Sequence, residues 1–274
     1  MYFRHNLGYK YPEETDEHMI TVKHIRDVKF DEKYPYLRKD LGYKIIRAIY
    51  WLGLHLVGFP LVRITHGLRI FGKQNLKKNK KLLKNGCITI SNHVFMIDFL
   101  CVARAMRPRL GHFPAWKTNL EGPNGPLIRM AGGIPIPTGN MRGMVKFKYA
   151  MEEVLESGKW MHFFPEASMW FYYPDLRPLK KAVFKYAVKY DKPLIPMAMS
   201  FRKRKGITRL FTKKPCVDFH IGEPLFADKT LPIEQAIEKM HKQAYHDMQV
   251  MMGINPGDPT YNEDYKGENY QKTM

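Results

Sequence analysis

Only three of the 274 residues are cysteine. Cys87, Cys101 and Cys216 stand far apart, with no Cys-x-x-Cys pair and no histidines clustered at metal spacing, so neither a disulfide framework nor a zinc site is expected. A nucleophile elbow of the Gly-x-Ser-x-Gly kind is missing too. The apolar segment Ala48 to Val62 has 15 residues, interrupted by His55, and falls short of the roughly 20 that cross a bilayer. Residues 1–40 are polar and charged and form no cleavable apolar leader, which predicts a catalytic part facing a reducing cytoplasm. No internal repeat or low-complexity linker divides the chain, so a single folded domain is expected.

The most uneven absence is that of acid. Between Leu41 and Ile97 there is no Asp or Glu, yet Lys44, Arg47, Arg63, Arg69, Lys73, Lys77, Lys78, Lys80, Lys81 and Lys84 all fall there. Over the whole chain 45 Lys and Arg stand against 26 Asp and Glu, a formal net charge of +19, which favours anionic partners. Because these cations flank the apolar segment, and because Gly53, Gly58 and Pro60 weaken a straight rod, the pattern predicts a re-entrant or interfacial helix. Its basic flanks would rest on an anionic membrane surface, placing the protein at the cytoplasmic face of the cell membrane as a peripheral or monotopic protein. A second basic tract, Arg202 to Lys205 with Arg209, Lys213 and Lys214, reads as solvated surface. No zinc-finger spacing or RNP pattern organises base contacts, so no specific nucleic acid partner is expected.

Two stretches carry chemistry. Ser91-Asn92-His93-Val94-Phe95-Met96-Ile97-Asp98 follows the strand-like Cys87 to Ile90, and Pro165-Glu166-Ala167-Ser168 follows Trp160 to Phe164. Each sits where a strand opens into a loop, the edge at which open α/β sheets bind ligands. A turn there exposes the His93 imidazole and lets Asp98 reach one ring nitrogen, which fixes the tautomer and leaves the other nitrogen as a base. With no protein nucleophile in view, that base would act on a hydroxyl of the substrate. Acyl transfer would then be direct, without an acyl-enzyme intermediate.

In these residues the chain resembles the lysophospholipid acyltransferases of the glycerolipid pathway, as a divergent member similar to the 1-acylglycerol-3-phosphate O-acyltransferases. The family's first motif, Asn-His-x4-Asp, falls on Asn92, His93 and Asp98, and its second on Gly133-Ile134-Pro135-Ile136-Pro137. The third, Phe-Pro-Glu-Gly-Thr-Arg, begins at Phe164-Pro165-Glu166, and the fourth lies at Leu194-Ile195-Pro196-Met197. Lys117 matches a family lysine between the first two motifs, and Arg177-Pro178-Leu179-Lys180-Lys181-Ala182 resembles the Pro-Phe-Lys-x-Gly segment. The resemblance covers about Gly72 to Gly222. It implies His93 as general base, Asp98 as its orienter, and Glu166 as a residue positioning the acceptor. It further implies substrate contacts from Asn92, Lys117, Gly133, Pro165, Ser168, Arg177 and Lys180. The oxyanion would be met by Asn92 and nearby backbone amides, a reading from position alone. No metal or bound cofactor is implied, only acyl-coenzyme A or acyl-acyl-carrier protein as co-substrate.

The departures bear on the acceptor. Thr138 stands where the second motif usually ends in arginine, and Ala167-Ser168-Met169 replaces Gly-Thr-Arg. Neither threonine nor methionine can imitate the planar fork with which arginine holds a phosphate. Either Lys117, Arg142, Arg177 or Lys180 takes over on 1-acylglycerol 3-phosphate, or the acceptor is a phosphate-free glycolipid or aminolipid. A noncatalytic basic membrane-binding module is the alternative of a different class. The aromatic run Trp170-Phe171-Tyr172-Tyr173 reads first as core packing or a membrane-facing belt and second as a lined pocket.

Hydrophobic periodicity predicts strands at Cys87 to Ser91, Leu110 to Trp116, Gly133 to Pro137, Lys159 to Phe164, Leu194 to Phe201 and Val217 to Ile221. Helices are predicted near Phe95 to Met106, Pro126 to Met130, Arg142 to Glu156, Leu179 to Tyr190 and Ile233 to Met252. The fold class that follows is α/β, a mixed central sheet with helices on both faces, preceded by an N-terminal membrane-associated helical segment. The expected divisions are a polar arm (1–42), a membrane-associated apolar and basic segment (43–72), an acyltransferase domain (73–252) and a mobile polar tail (253–274).

Overall fold

In the computed structural model, residues 5, 7–109, 111–210 and 212–254 are described, so most of the expected tail lies outside the described residues. Asp40 caps the first helix by accepting from the Tyr43 N–H, and the chain then stays helical from Leu41 to Thr65. It runs as α1 (Leu41–Gly53), a π turn (Leu54–Gly58) and α2 (Phe59–Thr65). This corrects the expected 15-residue segment at both ends. Gly53 and Gly58 do not interrupt the helix, and Pro60 lies just past the π turn, where the i→i−4 ladder that its missing N–H would break is already interrupted. The 25 residues are long and apolar enough to cross a membrane by length and composition. Leu41, Ile45, Ile49, Leu52, Leu56, Leu61 and Ile64 are exposed, whereas Trp51, Phe59 and Val62 are buried against the rest of the protein.

Beyond it come β1 (Arg69–Phe71), α3 (Lys73–Lys78), β2 (Ile88–Ile90), α4 (Asp98–Met106), β3 (Phe113–Trp116), α5 (Lys117–Glu121), α6 (Gly125–Ala131) and β4 (Gly133–Ile136). Then follow α7 (Met141–Glu156), β5 (Met161–Phe163), α8 (Ala182–Lys189), β6 (Leu194–Arg202), β7 (Cys216–Ile221) and α9 (Ile233–Met252). The short elements β1, α3 and α5 have no counterpart among the predicted ones. Leu110, the expected start of a strand, is outside the described residues, and that strand begins at Phe113.

The central sheet has the order β1-β7-β6-β2-β5 and is mixed, β6 and β7 being antiparallel and the other pairs parallel. A separate parallel pair, β3 and β4, approaches β5 through the bridge between His112 and Met161. One face packs side chains of α7, α8 and α9, including Val154, Phe184, Ala244 and Met248. The other packs α4 with Val62 of α2 and Leu76 of α3. Helices therefore cover both faces. The parallel register pairs Ile90 of β2 with Phe163 of β5, so the two loops that follow emerge side by side.

Residues 7–40 form neither helix nor strand, yet part of this polar arm is fastened to the domain. The Ser168 hydroxyl and an Arg177 N–H both donate to the Thr15 carbonyl, the Trp170 indole N–H donates to Glu17 O, and Tyr11 stacks on Trp170. The segment crosses the loop after β5 as a strap.

Candidate active site

His93 and Glu166 each stand three residues beyond the register partners Ile90 and Phe163. The Asp98 carboxylate takes the His93 ring at Nδ1 across 2.6 Å and accepts the Val94 N–H at 3.0 Å and the Phe95 N–H at 3.5 Å through the same oxygen. Asp98 opens α4, the helix end that favours an anion, and its side chain is 1% exposed. The His93 side chain is 22% exposed and its ring lies flat on Phe164, with centroids 4.2 Å apart. No hydrogen bond reaches Nε2 among the described residues. One nitrogen is thus held while the other is left without a partner on a partly exposed ring, as a base requires.

Glu166 has another occupation. One carboxylate oxygen accepts the His93 N–H at 2.8 Å and an Arg177 guanidinium N–H at 2.9 Å, and the other accepts the Arg177 backbone N–H at 2.9 Å. Both side chains of this ion pair are 1% exposed. Arg177 also donates to Ser168 Oγ and Ser168 O, each at 2.6 Å, and lies 4.5 Å above the Trp170 ring. Glu166 is therefore a staple between the two motif loops rather than a free acceptor-binding carboxylate. Arg177 and Ser168 are its buried partners and are not placed to grip a phosphate.

Three further expectations are corrected. The Asn92 amide is buried and spent at both ends on Met199, donating to its carbonyl at 2.9 Å and accepting its N–H at 2.7 Å, so it ties the loop to β6. The backbone N–H groups of His93, Val94 and Phe95 are likewise committed to Glu166 and Asp98, which removes them from an oxyanion role. Gly133 lies buried in β4, where a Cβ would come within 2.7 Å of the Ile128 side chain; its small size serves helix packing. Pro165 is buried, and its carbonyl accepts the Lys180 N–H. Lys180 pairs with Asp16 at 2.9 Å, Lys117 with Glu121 at 3.4 Å, and the exposed Arg142 with Glu32 at 3.7 Å. Thr138 is exposed and Met169 buried.

The aromatic run is core packing: Trp170, Tyr172 and Tyr173 are at most 2% exposed. What the motifs did not reveal is His18, brought in by the strap. Its ring stacks flat on Trp116, with centroids 4.1 Å apart, and its pKa is lowered by burial first and then by the positive fields of His93 and Arg177. Behind the site, His162 is fully buried between Thr89 Oγ1 and Ser91 Oγ, and desolvation lowers its pKa to about 3. His162 also borders an apolar cavity lined by Trp51, Leu54, Phe99, Val102 and Met106. No group of three or more metal-ligating side chains is assembled among the described residues.

Residues 67–200 match the family described as Acyltransferase. No curated protein matches the chain. Among solved structures it is similar to the 1-acyl-sn-glycerophosphate acyltransferase PlsC from Thermotoga maritima, at 18% identity over 78% of this chain and 85% of that one, with a TM-score of 0.45.

Proposed function

Since residues 67–200 belong to the acyltransferase family and the protein is on that ground an acyltransferase, we propose that it moves a fatty acyl group from a thioester, acyl-coenzyme A or acyl-acyl-carrier protein, onto the hydroxyl of a lysophospholipid. The acceptor read first is 1-acylglycerol 3-phosphate, giving phosphatidate. The observation carrying this reading is the buried Asp98 carboxylate 2.6 Å from Nδ1 of the partly exposed His93, whose other ring nitrogen has no hydrogen-bond partner among the described residues.

The step follows from that geometry. Asp98 keeps the proton on Nδ1, so Nε2 takes the proton of the acceptor hydroxyl as its oxygen attacks the thioester carbonyl. The imidazolium that forms is stabilised by the carboxylate behind it and returns its proton to the departing thiolate. The exposed stripe of the Leu41–Thr65 helix supports work at a membrane surface, where a lysophospholipid acceptor resides.

One observation favours a second acceptor class. Arg177 is locked in its pair with Glu166, Met169 is buried, and Lys117 and Lys180 are already paired, so no free arginine fork stands at the opening among the described residues. A lipid acceptor without phosphate fits such a site. Acyl transfer onto a panel of lysophosphatidate and phosphate-free lipids, read by mass spectrometry, separates the two. Whichever product forms, His93→Ala is expected to lower its rate by about 10²- to 10⁴-fold with an unchanged melting curve. Turnover retained by that variant removes the base assignment.

A further inference from the structure

A groove opens between α2 and the end of α4 remote from His93. Phe59, Pro60 and Ile64 form its apolar wall, and Arg63, Arg104 and Arg107 surround it. Arg104 is six residues beyond Asp98, about 9 Å along the axis of α4. The groove's lining includes neither His93 nor Asp98, and its volume of about 380 Å³ is ample for a phosphoryl headgroup.

Its charge is uncompensated. Arg63, Lys73, Arg104 and Arg107 form no ion pair among the described residues, no acid occurs from Leu41 to Ile97, and the single acid of α4 is Asp98, already committed to His93 and its loop. Burial lowers the pKa of Arg104, with Arg107 and Arg63 adding to the effect, and burial with Arg104, Arg107 and Lys77 lowers that of Lys73. The ordinary explanation for such cations is a helix C-terminus, and it fits Arg63 and Arg104, which lie in the last turns of α2 and α4. It does not fit Lys73, which lies outside the groove's lining but within the field of Arg104 and Arg107, at the first position of α3 where a cation gains nothing from the helix. Nor does it explain an apolar wall on the same helix that exposes Leu56 and Leu61.

We infer that this groove seats the phosphoryl headgroup of an anionic phospholipid of the bilayer, its acyl chains lying along Pro60 and Ile64 toward the exposed stripe. The inference rests on the membrane reading above. Cations alone would fit any polyanion; cations with a hydrocarbon wall on a lipid-facing helix fit a phospholipid.

The full-length protein is sedimented with vesicles of phosphatidylcholine, with and without phosphatidate. Wild type is expected to prefer the phosphatidate vesicles. Arg63→Gln/Arg104→Gln/Arg107→Gln is expected to lose about a hundredfold of that preference, at about fivefold per charge. Arg63→Gln/Arg107→Gln, which leaves Arg104 over the Phe59 ring, is expected to lose about 25-fold and guards against misfolding, checked by circular dichroism. Neutralising the exposed Lys80, Lys81 and Lys84 instead is expected to leave most of the preference. An equal loss in that control overturns the site in favour of diffuse charge, and so does displacement by inorganic phosphate no better than by chloride at equal ionic strength. Equal wild-type binding to both vesicles overturns this inference alone, whereas binding to neither overturns the membrane reading as well. Acyl-carrier protein binding that disappears in the groove variants, with vesicle preference intact, would reassign the patch to a protein and also overturn it.

Discussion

Arg177 places two demands on one residue, and the geometry decides between them. A phosphate-gripping arginine must present its fork to the substrate, whereas this one is 1% exposed and closes a buried ion pair with Glu166. Arg177→Met should therefore act on stability, costing about 3–5 kcal/mol in denaturant unfolding because the Glu166 carboxylate is left buried without its counter-charge. Adding Glu166→Gln should return part of that loss. A raised KM for the acceptor with unchanged stability would instead restore the substrate role. Ala167 tells a related story: it holds a left-handed φ of 67° where the resembling family carries glycine, so the turn after Glu166 is kept at a conformational cost of about 1–2 kcal/mol. At this scale the motifs were legible as identities and only partly as roles. His93 and Asp98 could be paired from local spacing because a turn brings i and i+5 together. The partners of Asn92 and Glu166, by contrast, are Met199, 107 residues away, and Arg177, which meets Glu166 through a loop with no periodicity to read.

Among the elements, the helix from Leu41 to Thr65 is where the reading and the structure diverge most. Counting apolar letters set its ends at Ala48 and Val62, but a helix end is set by caps and by what the flanking side chains can reach. Asp40 supplies the cap, while Tyr43 and Arg47 donate to carbonyls of residues 129, 130 and 111 and hold the first turns against α6. The long, strongly periodic α9 was legible to the residue, since its apolar positions recur every three or four and Gly253 stops it at φ 78°. Short β1, α3 and α5 carry too few residues for a period to emerge. If the exposed stripe is the membrane-contacting face, Ile45→Ser/Ile49→Ser/Leu52→Ser should weaken binding to neutral vesicles by about a hundredfold or more, with helicity unchanged by circular dichroism. Unaltered binding would mean that the stripe touches no lipid.

For the molecule as a whole, two buried histidines tie stability to pH. Desolvation lowers the pKa of both His112 and His162 from 6.5 to about 3, so the fold holds them neutral where the unfolded chain takes up protons. Unfolding thereby becomes easier as pH falls from 6.5 toward 3, by about 1.4 kcal/mol per pH unit for each histidine, and the protection is complete above 6.5. Scanning calorimetry should show the melting temperature falling steeply below pH 6 and a shallower fall in His162→Gln. The fold class was legible because alternating strands and helices leave few architectures, whereas the strap over the site was not: residues 7–40 follow no period and hold through backbone carbonyls, which the side-chain alphabet does not encode. The π turn at Leu54–Gly58 has a consequence of its own. Trp51 and Phe59 are eight residues apart, a separation that in an unbroken α-helix would point them about 80° away from each other, yet both are buried against the domain. The one surplus residue behaves like a shim in a screw thread. Straightening the turn into a regular α-helix with every residue kept would turn everything before it by about 100°, swinging Ile45 and Ile49 away from the side on which Leu61 and Ile64 remain, whereas deleting one of its residues would leave the two faces in register.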